Sequence, residues 1–113
     1  MIPGVSASLS ALSAFGKKLG INARNVANCN TDGYKREDAR ITENSAGLPE
    51  ATPFRSDSPG ALVEEDGVMK ETSNVDLARE FPQLLLAQRG YEANLKALKA
   101  EGEIMDSVLD ILI

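Results

Sequence analysis

The sequence has no histidine, no tryptophan and a single cysteine, Cys29, in 113 residues. Without histidine, the commonest general base and metal ligand is missing, along with every Ser–His or Cys–His nucleophile arrangement. One cysteine allows no internal disulfide. No run of about 18 apolar residues is present, which argues against a transmembrane helix. The opening Met-Ile-Pro-Gly-Val-Ser lacks the basic and apolar regions of an ordinary signal peptide. Gly-x-Ser-x-Gly, phosphate-loop and Gly-x-Gly-x-x-Gly motifs are also missing. Aromatic residues make up only 4%, so any core is thin. These absences predict a non-enzyme with no cofactor, no metal, no small-molecule substrate and no membrane insertion.

A basic surplus is missing too. The formal net charge is −5, which argues against nucleic acid as a partner, because phosphate binding needs a basic surface. The charge is unevenly spread. Residues 1–41 carry six Lys/Arg against three Asp/Glu, or +3; residues 42–113 carry six against fourteen, or −8. The two ends are therefore suited to attract each other, within one chain or between neighbours. Glu101, Glu103, Asp106 and Asp110 cluster near the end of the chain and read as a solvated acidic face rather than a catalytic pair.

What the sequence does have is a long heptad stripe. Leu77, Leu84, Tyr91, Leu98, Met105 and Leu112 recur every seventh residue, with Phe81, Gln88, Leu95, Gly102 and Leu109 between them. Steps of four and three over five heptads predict a helix across 74–113 that packs along a narrow seam against another helix. Asn74 or Ser73 is placed to cap it, and Asp76 and Glu80 suit the positive end of its dipole. Pro82 predicts a kink, or a separate first turn with the continuous helix starting near Phe81. Gln88 is a polar residue at a seam position, a type that fixes register; Asn25, Asn28 or a neighbouring subunit could bond it.

The other helix is expected over residues 6–29. Val5, Leu12, Leu19 and Val26 stand seven apart, Leu9, Phe15 and Ala23 broaden the stripe, and Ala7, Ala11, Ala14, Gly16, Gly20 and Ala27 are small. Gly16 and Gly20 each cost about 1 kcal/mol relative to Ala in a helix interior, so this helix is stable only when packed. Asn30-Thr31-Asp32-Gly33 is a strong turn signal. Residues 30–72 then read as turn and irregular structure: Glu37–Thr42 as a short extended segment, and Ala61–Glu64 as a strand pairing with Val68–Glu71 across Glu65-Asp66-Gly67. The predicted fold is mainly α, a single domain in which N- and C-terminal helices pair as an antiparallel coiled coil around a short β-hairpin segment.

Two stretches carry a resemblance. Ala23-Arg24-Asn25-Val26-Ala27-Asn28-Cys29-Asn30-Thr31-Asp32-Gly33-Tyr34-Lys35 resembles the N-terminal signature of the bacterial flagellar axial proteins, the rod and hook group. Ser73-Asn74-Val75-Asp76-Leu77-Ala78 and Ala87-Gln88-Arg89-Gly90-Tyr91-Glu92-Ala93-Asn94 resemble its C-terminal signature. The segment between them is short, and Pro59-Gly60 and Asp66-Gly67-Val68-Met69-Lys70 are most similar to the short proximal, C-type rod subunits; Pro82 and Cys29 are departures. The resemblance implies a structural subunit of the basal-body rod that assembles helically with copies of itself and other flagellar rod subunits. It further implies export by the flagellar export apparatus without a cleaved signal peptide, and a place in the periplasm-spanning rod. The assembly interface it suggests comprises Leu12, Leu19, Asn25, Asn28, Tyr34, Lys35, Asn74, Asp76, Leu84, Gln88, Tyr91, Asn94 and Leu98. A cytoplasmic helical-hairpin adaptor or chaperone of the export system accounts for the heptads equally well, but leaves both signatures unexplained.

Overall fold

The computed structural model describes residues 3–113. Helix α1 spans Pro3–Ala27; strands β1 (Glu37–Glu43), β2 (Pro49–Arg55), β3 (Leu62–Glu65) and β4 (Val68–Glu71) follow, and helix α2 spans Leu77–Leu112. The molecule measures 78 × 25 × 14 Å, and α2, 36 residues at 1.5 Å each, accounts for roughly 54 Å of its length.

The helices lie side by side and antiparallel. Ser8 Oγ donates to Glu101 Oε1 at 3.2 Å near one end of the contact, and Asn22 Nδ2 donates to Glu80 Oε2 at 2.8 Å near the other. Between these bonds each helix seats an aromatic ring on a glycine of the other. A Cβ on Gly90 would fall 2.5 Å from Phe15 Cε1, and a Cβ on Gly16 would fall 3.8 Å from Tyr91 Cε2. Gly90 therefore has a packing reason that offsets its low helix propensity.

The face of α2 turned to α1 is Glu80, Leu84, Ala87, Tyr91, Asn94, Leu98 and Glu101, with Glu80 and Ala87 fully buried. Its steps alternate four and three, as predicted, but only three of the eleven predicted stripe positions lie on it. Leu84, Tyr91 and Leu98 take part, whereas Phe81, Gln88, Leu95 and Gly102 are exposed and face outward. The reason is steric. Ala87, Gly90 and Asn94 let α1 come close enough to seat Phe15, which the bulk of Phe81 and Leu95 would prevent. Glu101, expected in a solvated face, is instead half-buried against Ser8 and the first turn of α1.

Helix α2 starts at Leu77 and runs unbroken through Pro82, rather than restarting near Phe81. Asp76, not Ser73 or Asn74, is its N-cap, accepting from Ala78 N at 3.0 Å. Pro82 stands exposed in the second turn, where its ring points to solvent and only one backbone bond is missing.

The β1–β2 hairpin packs on the side of α1 away from α2. Small residues make this possible: Ala11 and Ala14 are buried beneath it with Ala51, and Ser10 Oγ donates to Pro49 O at 3.2 Å. Strand β2 was not expected, because Pro49 and Pro53 are strand breakers. As an edge strand paired only to β1, β2 has one side of its backbone free of ladder bonds, where proline is tolerated. Its loop is set by Asn44, whose Oδ1 accepts from Ala46 N and Leu48 N, and by Gly47 at φ +76°. The β3–β4 hairpin forms where expected, turning at Asp66 and Gly67 (φ +53° and +79°), the conformation a two-residue primed turn requires. Every residue from Ala61 to Lys70 is exposed, and the hairpin packs on no other element.

Candidate assembly interface

The signature residues meet at one end of the helix pair, in a polar junction that joins helices to hairpins. Asn25 is its centre and is fully buried. Its side chain donates to Glu37 O at 2.6 Å and accepts from Glu37 N at 3.0 Å, so the amide acts as one further rung on strand β1. Tyr34 Oη donates to the same Asn25 Oδ1 at 3.0 Å. Asn74 does the same work on the other side: its Oδ1 accepts from Arg36 N at 2.6 Å, and its Nδ2 donates to Ser56 O and Ser58 O at 3.0 and 2.9 Å. Two asparagine amides thus satisfy backbone groups that the short strands leave unpaired.

Beside them lies the Asn22–Glu80 pair, 2% and 0% exposed. Asn22 Oδ1 and Glu80 Oε1 have no hydrogen-bond partner. A glutamine at position 80, turned so that its oxygen replaces Oε2, keeps the bond from Asn22 and puts a donor where an unpartnered acceptor now sits. Glu80→Gln is accordingly expected to stabilise the fold by about 1–2 kcal/mol, read as a melting temperature several degrees higher by calorimetry. Asp38 is buried next to this pair, bridged to Arg79 at 3.3 Å and Arg36 at 3.5 Å.

The base of the β3–β4 hairpin is pinned at the junction. Gly33 N donates to Glu71 O at 2.9 Å, Gly60 N to Glu71 Oε1 at 3.0 Å, and Lys35 Nζ to Glu71 Oε1 and Ser58 O. The hydrogen bond from Lys35, then that from Gly60, holds the Glu71 carboxyl below the usual glutamate range. A depressed carboxylate pKa contributes stability above the unfolded value, about 4.3 for glutamate, that is lost as pH falls through the folded value. Amide protection across 60–72 should therefore drop below about pH 4 before the helix pair unfolds, which exchange measured by NMR would follow; Glu71→Gln should remove that step. Tyr34 shifts the other way. Burial first, then the charge of Glu37, raises its hydroxyl above the usual tyrosine value, so its contribution fades only as pH rises past about 10.

The predicted interface residues take different parts in the structure. Asn25, Tyr34, Lys35 and Asn74 bond within the chain and are buried or half-buried. Asp76 caps α2. Asn28 closes the turn after α1, donating to Arg24 O at 2.8 Å and accepting from Thr31 Oγ1 at 3.1 Å. Leu12, Leu19, Leu84, Tyr91 and Leu98 lie along the helix contact, with Tyr91 at its open edge. Asn94 bonds back to Gly90 O on its own helix. Gln88 bonds Glu92 at 3.3 Å and meets neither Asn25 nor Asn28. Asn22, the partner of Glu80, was not among the predicted residues, nor were Glu37, Asp38, Gly60 and Glu71. Only the three-residue spacing of Asn22, Asn25 and Asn28 hinted at the first of these.

Outside the junction the surface is unusually apolar. Phe81, Leu85, Leu86 and Leu95 are each about half exposed or more, and from Gly102 onward every residue of α2 is exposed. Among the described residues no helix is long and apolar enough to cross a membrane, and no group of three or more His, Cys, Asp or Glu is placed to hold a metal ion. The open apolar strips, with the rigid polar junction at one end, suit protein contacts.

Comparison with known proteins agrees. Residues 6–35 match the family described as flagella basal body rod protein, and residues 66–111 match the flagellar basal body rod FlgEFG protein C-terminal family. The flagellar basal-body rod protein FlgG of Bacillus subtilis is 27% identical over 86 residues, covering 76% of this chain and 33% of its own length. The flagellar hook protein FlgE of Helicobacter pylori is 40% identical over 45 residues, 40% of this chain and 6% of its own; FlgE of Escherichia coli is 34% identical over 41 residues, 36% and 10%. The chain spans a third or less of the length of these relatives. Both matched regions coincide with the helices and the residues of the junction, one at each end of the chain and in the family's order: the chain belongs to the flagellar rod and hook axial protein family.

Proposed function

We propose that this chain is a structural subunit of the flagellar basal-body rod, joining copies of itself and other rod subunits into a helical assembly for flagellum-dependent motility. The observation that carries the reading is the exposed apolar surface along α2, joined to a small rigid junction that fixes the angle between helices and hairpins. A subunit that transmits torque needs both: broad faces to bury and a body that does not shear. In the assembly the two helices form an antiparallel coiled coil whose outer strips complete seams with neighbours. The residues for that role are Leu12, Leu19, Leu84, Tyr91, Asn94 and Leu98 on the helix contact, with Gln88 beside it. Asn25, Asn28, Tyr34, Lys35, Asn74 and Asp76 hold the junction in shape. Delivery through the flagellar export apparatus to the periplasm-spanning rod fits a chain whose first helix, rich in Gly, Ser and Asn, orders fully only on packing.

Mass spectrometry of salt-washed hook–basal bodies tests the reading. The chain is expected there at a fixed ratio to other rod subunits. Its absence, with the protein abundant in the cytosol, would sink the rod reading and favour the adaptor.

A further inference from the structure

The edges of the two small sheets are not alike. Ser56 N donates to Arg36 O, so Arg36 and each second residue after it, Asp38, Arg40 and Thr42, turn their backbone groups toward β2. Glu37, Ala39, Ile41 and Glu43 turn theirs outward. On β2 the outward positions are Pro49, Ala51, Pro53 and Arg55. Two prolines remove donors from that edge and guard it against further pairing. The β1 edge has no proline. Its first outward residue, Glu37, already exchanges both backbone groups with the Asn25 amide, as it would with a strand. Ala39, Ile41 and Glu43 beyond it have no backbone partner on that side among the described residues. Glu43 is exposed, and Ala39 and Ile41 are half-buried.

The β3–β4 hairpin has an open edge as well. Thr72 N donates to Ala61 O, so Val63 and Glu65 pair inward, while Leu62 and Glu64 on β3 and Met69 and Glu71 on β4 face outward. Glu71 O is taken by Gly33 N, which closes the root of the β4 edge. The β3 edge carries no proline and is exposed throughout. A two-stranded ribbon that packs on nothing is marginal by itself.

Side-chain charge selects how the two open edges fit. Outward residues face outward residues, so antiparallel registers differ by steps of two. Leu62 opposite Ile41 sets Glu65 against Asp38, two acids on one face. Leu62 opposite Glu43 sets Glu65 against Arg40 and Val63 against Thr42, and all four residues of β3 are paired. Arg40 lies over the Phe54 ring, 5.3 Å from its centre, and has no ion pair among the described residues. With Thr42, Thr52 and Phe54 it lines a shallow hollow on the outer face of the sheet, the face on which Val63 and Glu65 then fall. On the other face Leu62 comes within diagonal reach of Ile41.

We infer that β3 of one copy adds antiparallel to the free edge of β1 on a second copy, with Leu62 opposite Glu43 and Glu65 opposite Arg40. The strands then run β2, β1, β3, β4 across the two chains. Main-chain bonds supply the attraction, and the Arg40–Glu65 pair sets the register. The inference rests on the assembly reading above for its choice of a second copy as partner. The two edges differ and each copy carries both, so the contact is head-to-tail.

Disulfide trapping in the full-length protein, with Cys29→Ser as background, reads the register. Positions 42 and 63 form a non-hydrogen-bonded pair, whose Cα atoms stand about 4.5 Å apart, within disulfide reach. Thr42→Cys and Val63→Cys chains are mixed over a concentration series and oxidised with glutathione disulfide, and the linked peptides are identified by mass spectrometry. A 42–63 link is expected at roughly tenfold the yield of the 42–65 link from Thr42→Cys and Glu65→Cys chains, whose positions are two residues out of register. Glu64→Pro in the Val63→Cys chain removes an outward donor and breaks no bond of the monomer. It should keep the wild-type far-UV spectrum and melting curve and lower the 42–63 yield roughly tenfold. The comparison of the two links stands whether or not that variant folds. Equal yields at the two pairs, a 42–63 link undiminished by Glu64→Pro, or no link between copies at any concentration would each overturn the inference. The chain's presence in hook–basal bodies decides the rod reading separately. A 42–63 link in a chain absent from there would leave this contact standing and end the rod reading; a chain found there that forms no such link would end this contact alone.

Discussion

Replacing Asn25 with alanine is expected to destabilise the fold by about 3 kcal/mol or more. The change strands Glu37 N and Glu37 O, both now paired to the Asn25 amide, and removes the acceptor of the Tyr34 hydroxyl. Each buried polar group left without a partner costs roughly 1–3 kcal/mol, and the deleted amide leaves a cavity as well. Asn25→Asp makes the argument sharper. It keeps an acceptor for Glu37 N and Tyr34 Oη but turns a donor into an acceptor against Glu37 O. An intermediate loss is expected if the rung on β1 is what matters. Urea titration of both variants beside wild type measures this. Equal stability of all three would mean that the junction is not held by this side chain.

The second large effect is expected at Gly60. A Cβ there would lie 1.9 Å from Thr72 O and 2.8 Å from Thr72 C. Both are backbone atoms, and Thr72 N is itself bonded to Ala61 O, so the neighbour cannot yield by rotating a side chain. Gly60→Ala must move the strand entrance, at a cost of about 1–3 kcal/mol, and should release Gly60 N from Glu71 and with it the Lys35 contact. The damage is local. Amide exchange should rise across 60–72 while the helix pair keeps its protection, because the hairpin packs on neither helix. Gly20→Ala is the matched control: it meets open space and should be neutral or stabilising by helix propensity. A Gly60→Ala protein with unchanged exchange would show that the entrance is more compliant than its geometry.

Sequence pattern carried some of this fold and not the rest, for identifiable reasons. The two helices and the Asp66-Gly67 hairpin follow from local signals, a seven-residue recurrence and a turn that only certain residues make. The orientation of α2 does not. Leu84, Tyr91 and Leu98 fit either of two seams one residue apart, and the choice between Phe81–Leu95 and Ala87–Asn94 depends on how closely α1 approaches. That distance is set by Phe15 finding Gly90, a contact invisible to periodicity. Strand β2 was hidden by its prolines, which matter less on an edge. The junction was half legible. Asn22, Asn25 and Asn28 are poor helix formers at regular spacing, and the resemblance marked Asn25 and Asn74. Their partners, backbone groups 12 residues away from Asn25 and between 16 and 38 from Asn74, could not be read from a line of text. A buried Glu80 was unexpected because carboxylates are rarely inside.

The β3–β4 hairpin has a consequence for engineering. It is clamped at its root and touches nothing along its length, so its tip is mechanically isolated from the rest of the subunit. Sequence grafted between Asp66 and Gly67 would ride as a passenger, its shape reported to the body through Gly33, Lys35, Gly60 and Glu71. A hairpin of this kind is a ready socket, in which new modules can be exchanged while the packing of the helices stays the same.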